Sequence, residues 1–146
     1  MKKIREITSE ETFSVRHPVL REGKPIESCA FEGDNLSSTK HFGFFVDENL
    51  TAVVSVFQNN SSIFKNQNQF QIRGMAVLKD FQKKGFGEEL VLWCEEYIKS
   101  KNGSLIWFNA RENAVPFYKK LGYDIIGNQF EIENVGIHYI MKKEMA

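Results

Sequence analysis

The stretch from Gln69 to Ser100 constrains this chain more than any other. It divides into QFQIRGMAVL, which predicts a strand, KDFQKKGFG, which predicts a tight basic loop, and EELVLWCEEYIKS, which predicts an amphipathic helix. Strand alternation places Phe70, Ile72, Gly74 and Ala76 on one face, with Gln71, Arg73, Met75 and Val77 on the other. Beyond the loop the apolar period changes. Leu90, Val91, Cys94, Tyr97 and Ile98 share a helical face, and Glu88, Glu89, Glu95, Glu96 and Lys99 fall largely outside it. A loop at such a junction aims several backbone N–H groups and the positive end of the helix at one spot, which suits an anion, most naturally a phosphate. Gly85 and Gly87 are expected to take backbone angles that a side chain would forbid and to let a ligand come close. Lys83 and Lys84 add positive charge, while Glu88 and Glu89 suit the helix dipole with their side chains turned away.

Two familiar phosphate motifs do not fit. No Lys-Ser or Lys-Thr pair follows the glycines, as a P-loop requires, and Leu90 stands where a dinucleotide fingerprint needs its third glycine. Gln82-Lys83-Lys84-Gly85-Phe86-Gly87 instead resembles the Gln/Arg-x-x-Gly-x-Gly/Ala signature of the GCN5-related N-acetyltransferases. Met75-Ala76-Val77 before it and Leu90 after it stand where that family places them. Downstream, Ala114-x-x-Phe117-Tyr118-x-x-Leu121-Gly122-Tyr123 resembles the second and more specific family signature, at the right distance. The two motifs together cover Gln69 to Tyr123. VRHPVLR (residues 15–21) and Gly136-Ile-His138 resemble, more loosely, the small ElaA-like group within the family.

The rest of the chain is consistent with that resemblance. Lys2 to Ile7 predicts a first strand, and Thr8-x-x-Glu11 a capping box that opens a helix running to about Arg21, shortened or kinked by Pro18. Residues 22 to 40 have no clear periodicity. His41 to Val46 and Leu50 to Phe57 predict a hairpin across Asp47-Glu48-Asn49. Asn102-Gly103 stops the central helix, and Leu105 to Asn109 is a strand buried on both faces. Asn113 suits an N-cap with Pro116 in the first turn, Gly122 follows the helix, and Tyr123 to Phe130 with Gly136 to Lys142 close the chain as paired strands. The fold class is α/β, a single domain over residues 1–146 built on a central mixed sheet with helices on both faces. The resemblance adds a splayed strand pair that admits the pantetheine arm of CoA.

Charge and composition narrow the partners. Nineteen basic and nineteen acidic side chains give zero formal charge, which disfavours nucleic acid and membrane as partners. MKKIREITSEE turns acidic at once, unlike a signal peptide, and no apolar run approaches the roughly 20 residues of a membrane span. Cys29 and Cys94 make neither a disulfide framework nor a metal site, consistent with reduced thiols in a cytoplasm.

The resemblance implies direct acetyl transfer from acetyl-CoA to an amine, with no metal. It assigns Met75, Ala76, Val77, Gln82, Lys83, Lys84, Gly85, Phe86, Gly87 and Glu88 to the cofactor. A backbone N–H near Met75 to Val77 stabilises the oxyanion, and this requires the strand to splay or bulge. Tyr118 protonates the leaving thiolate. Many members carry an Asn at the position of Arg111, where it touches the cofactor; Asn109 and Asn113 stand beside it here. Lys79 replaces a common proline. Gln71 and Arg73 stand where many members place a glutamate base, so His138 is the candidate base, ahead of His41 and His17. Arg16, Arg21 and Arg73 are the candidate acceptor contacts, although a solvated face is the ordinary reading of such charges. The acceptor itself, a small polyamine, amino acid, antibiotic or protein amine, stays open, as does monomer against homodimer. A second class of function, a CoA-binding sensor without turnover, is compatible with the missing carboxylate.

Overall fold

In the computed structural model, which describes residues 1–145, β1 (Lys2–Ile7) is one edge of a seven-stranded sheet and pairs antiparallel with β2 (Lys40–Val46). The capping box forms as expected. The Glu11 carboxylate accepts from the Thr8 N–H at 2.9 Å, and the Thr8 hydroxyl accepts from the Glu11 N–H at 3.1 Å. It opens a 3-10 turn that continues into α1 (Phe13–Leu20), with Pro18 inside the last turns. Residues 22 to 39 are turns around a short 3-10 segment, Ile26–Cys29.

β2 and β3 (Asn49–Gln58) form the predicted hairpin, but its loop is only Asp47 and Glu48. Both have positive φ, 48° and 74°, the combination whose twist matches antiparallel strands. β3 pairs with β4 (Gln69–Val77), and β4 leads through the loop to α2 (Phe86–Ser100). α2 stops where Asn102 takes φ +60° and the Gly103 N–H returns to the Ile98 carbonyl. β5 (Leu105–Arg111), α3 (Val115–Lys120), β6 (Asp124–Ile132) and β7 (Gly136–Glu144) complete the chain. The strand order is β1-β2-β3-β4-β5-β7-β6, and only the β4–β5 pairing is parallel.

The sheet is covered on both faces, as expected. The larger core joins Phe44, Val54, Val56, Phe70, Ile72, Ile106 and Phe108 to Phe86, Leu90, Val91, Cys94 and Ile98 of α2 and to Val115 and Tyr118 of α3. A smaller cluster on the other face sets Ile7, Phe45, Val53 and Ala76 against Val15, Val19 and Leu20 of α1. Among the described residues no helix is long and apolar enough to cross a membrane.

Gly74 changes the expected facing of the central strand. Val53 pairs with Ala76 and Ser55 with Arg73, so two residues of β4 oppose one of β3, and Gly74 takes φ +67°. This is a bulge with glycine in the left-handed region. Strict alternation therefore fails beyond Arg73. Met75 and Val77 join Phe70 and Ile72 on the α2 face, and Ala76 packs with α1 instead of with Ile72.

Candidate active site

β4 and β5 share only three residue pairs, Gln69 to Gln71 with Leu105 to Trp107. Past Gln71 they diverge: β4 stays with β3 while β5 stays with β7 as far as Arg111 and His138. The β4 edge facing β5 has no strand partner there, so its outward backbone groups remain open to a ligand. Two cavities open from this gap. One, of about 460 Å³, is walled by α1, β4, β5 and β7 and includes Arg21, Phe31, Arg73, Asn109, Arg111 and His138. The other, of about 650 Å³, lies against the glycine loop and α3 and includes Val77, Gln82, Lys83, Gly85, Gly87 and Phe117. Val19, Met75, Ala114 and Tyr118 border both.

The loop leaves backbone N–H groups free at the start of α2, and its parts differ in detail from expectation. Gly85 caps α2 at φ +86°, and the first helical bond runs from the Glu89 N–H to the Gly85 carbonyl. The backbone N–H groups of Lys83 to Glu88 have no backbone acceptor among the described residues. Gly87 does not need a forbidden angle. Its value is its bareness, since a Cβ there would stand 3.4 Å from the Phe117 ring and 3.9 Å from Val77. Lys83, at φ +64°, borders the cavity, whereas the exposed Lys84 does not. The Gln82 side chain donates to the Val77 carbonyl at 2.9 Å and ties the loop to the end of β4. Phe86 is buried, stacked 4.1 Å from Phe44, so it offers the site only its backbone. Glu88 borders the cavity and is exposed.

Asn109, Arg111 and Asn113, expected with the cofactor, border the other cavity and not the loop. Nor is Asn113 the helix cap. It lies in a 3-10 turn, Glu112–Ala114, and makes no capping bond, so α3 begins at Val115 with Pro116 still in its first turn.

Arg16 is the clearest correction. It is fully buried, neither a solvated charge nor a contact for an acceptor. Its guanidinium donates to both oxygens of buried Asp34 (2.7 and 3.2 Å), to the Cys29 carbonyl (2.7 Å) and to the Ser55 hydroxyl (2.9 Å). Its Nε has no partner and lies beneath the bulge, where a Cβ on Gly74 would approach to 3.2 Å. His41 extends the network: Nε2 donates to the Asp34 carbonyl at 2.9 Å, and Nδ1 accepts from Ser55 at 2.6 Å. Burial holds the His41 pKa below its ordinary value, so it stays neutral beside Arg16. Arg16 thus supports the strand from below. Truncating one member of such a buried pair costs about 3–5 kcal/mol, so its loss reports on folding.

Tyr118, not Phe117, faces the sheet. Its ring centroid lies 4.3 Å from that of Phe108, whereas Phe117 is 37 % exposed beside the loop. Tyr118, rather than Phe117, therefore anchors α3 to the sheet. Tyr118 makes no side-chain hydrogen bond among the described residues, and burial raises its pKa, keeping the hydroxyl protonated. His138 is buried in the first cavity, and its Nδ1 donates to the Gly136 carbonyl at 2.9 Å. In the neutral ring Nε2 is then left as the acceptor. Phe31 and Asp34, which organise the arginines, had no signal in the sequence because they lie in an aperiodic segment.

Among the described residues the sheet is splayed at its one parallel pairing, with the glycine loop on one side and a second cleft on the other. Residues 1–123 match the model of the Acetyltransferase (GNAT) family, and the chain belongs to that family. It is 28% identical over 145 residues to the N-acetyltransferase YitI of Bacillus subtilis (strain 168), itself uncharacterized, covering 99% of this chain and 97% of that one. Among solved structures, Escherichia coli ElaA superposes with a TM-score of 0.75 at 15% identity, covering 99% of this chain and 100% of that one. An aminoglycoside 6′-N-acetyltransferase complexed with coenzyme A superposes at 0.76 and 15% identity, covering 97% and 96%. The protein is therefore an N-acetyltransferase with the fold that the motifs implied, and the family match extends to the N-terminal half, where motifs were lacking.

Proposed function

We propose that the chain moves the acetyl group of acetyl-CoA directly to a primary amine, across the gap between β4 and β5. The observation that carries this reading is the meeting of the two cavities at Val19, Met75, Ala114 and Tyr118. The N–H groups of Lys83 to Glu88 and the α2 dipole hold the pyrophosphate. The unpaired edge of β4 holds the pantetheine arm as a partial strand, and a backbone N–H in Met75 to Val77 receives the developing oxyanion. The amine enters from the other cavity, and His138 Nε2 removes the proton it sheds. Tyr118 donates to the departing sulfur. Burial makes the phenol a weaker acid and keeps its proton in place until the sulfur departs.

The test is release of CoA thiol from acetyl-CoA as amines are added, followed across pH. Amine-dependent release supports the reading. CoA binding with no amine that accelerates release would favour the non-catalytic module. His138→Ala is expected to flatten the acidic limb of the kcat/KM profile. An unchanged profile would remove His138 as the base.

A further inference from the structure

The wall of the acceptor-side cavity carries an excess of positive charge. Arg21 comes from the end of α1, Arg73 from β4 and Arg111 from β5, so the three guanidinium groups stand on different walls of one cleft. Gln71, Asn109, Asn113, Tyr118 and His138 complete its polar lining, and among the described residues no aspartate or glutamate borders it. None of the three arginines is in an ion pair among the described residues. In a chain with equal numbers of acids and bases this is a local imbalance.

The imbalance is built into the fold. The one buried acid nearby, Asp34, is taken on both oxygens by Arg16. The Phe31 ring collects the guanidinium carbons of Arg16, Arg21 and Arg73 at 3.9, 5.1 and 5.0 Å from its centroid. Cation–π contact offsets part of the repulsion among them and fixes their planes. It supplies no counter-charge. Arg73 is partly withdrawn from water beside Arg16 and Arg21, and burial is the main cause of its lowered pKa. A guanidinium in that position gains most from a bound anion, which it grips with two parallel N–H donors.

We infer that the amine acetylated here is a small molecule bearing an anionic group, carboxylate or phosphate, bound by Arg21, Arg73 and Arg111. The inference rests on the acetyl-transfer reading and narrows its substrate class. A polycation such as a polyamine or an aminoglycoside would meet three cations with no compensating charge, which selects against it. A cavity of about 460 Å³ suits a small ligand.

The full chain is assayed for thiol release from acetyl-CoA with L-methionine and L-glutamate, O-phosphoethanolamine, L-methioninamide, spermidine and kanamycin. Acid-bearing amines are expected to be used at least about tenfold better than spermidine or kanamycin, and methionine at least about tenfold better than its amide. The carboxylate and phosphate arms identify which anion is preferred. Arg73→Gln should erase the preference of acid over amide by raising the acceptor KM, with CoA affinity by calorimetry unchanged. Arg111→Gln, an exposed position, should act in the same direction and guards against misfolding of the first variant. In parallel, N-acetyl-L-methionine and N-acetyl-L-glutamate are titrated into the CoA-bound protein. Their binding, weakened in Arg73→Gln, would uphold the anion site even if no amine were acetylated, in which case acetyl transfer alone would fall. Better turnover of spermidine or kanamycin, or equal use of acid and amide, would overturn the anion site and leave acetyl transfer standing. So would failure of every acidic probe to bind at millimolar concentration.

Discussion

Gly74→Ala probes the join between fold and site. At φ +67° an alanine meets the left-handed penalty of about 1–2 kcal/mol. Its Cβ would also stand 3.1 Å from Phe31 and 3.2 Å from Arg16 Nε. Arg16 cannot withdraw without breaking bonds to Asp34, Cys29 and Ser55, so Phe31 or the strand must move. Overpacking of this kind costs about 1–3 kcal/mol, for a total near 2–5 kcal/mol. At roughly 2–4 °C per kcal/mol for a chain of this size, Tm should fall by about 4–20 °C. Gly85→Ala is the internal control. Its φ is +86°, but nothing lies within 4 Å of the added carbon, so only the conformational cost of about 1–2 kcal/mol remains. Thermal unfolding of both variants separates the terms. Equal losses, or a drop below about 2 °C for Gly74→Ala, would refute the view that Arg16 and Phe31 hold the bulge in place.

Gly87→Val should weaken CoA binding by roughly tenfold or more, as its methyl groups enter the loop cavity and keep the backbone N–H groups from the ligand, while Tm changes little. Calorimetry checks this, and unchanged affinity in the folded variant would remove the loop from the site. His41 predicts a pH-dependent stability. Its folded pKa lies below the ordinary 6.5, so the unfolded chain takes up the proton first. The stability is complete above about pH 6.5 and is lost as pH falls below it, by at most about 1.4 kcal/mol per pH unit. Urea midpoints between pH 7 and 5 should fall more steeply for the native chain than for His41→Gln, and parallel curves would exclude the effect.

The loop side of the site was legible in the sequence because that side is local. A strand, two glycines and an amphipathic helix lie within some thirty residues, and each dictates its own geometry. The second cavity is assembled from α1, residues 31 to 34, β3, β4, β5 and β7, and no periodicity announces such a convergence. Arg16 looked like a solvated charge because its partner Asp34 lies 18 residues away, in an aperiodic segment. Gly74 looked like any strand glycine, and only its positive φ shifts Met75 and Val77 to the α2 face. Asn113 suggested a helix from Ala114, but a 3-10 entry delays the start of α3 by one residue, to Val115.

Tyr118→Phe tests the central claim most directly. The change removes one hydroxyl that makes no hydrogen bond among the described residues and leaves the ring packed on Phe108. Folding and CoA binding should therefore be untouched. If that hydroxyl serves the departing thiolate between the two cavities, kcat should fall by at least about tenfold, with Tm and the Kd for CoA unchanged. A variant that keeps full kcat would contradict the account and leave Tyr118 as a core aromatic.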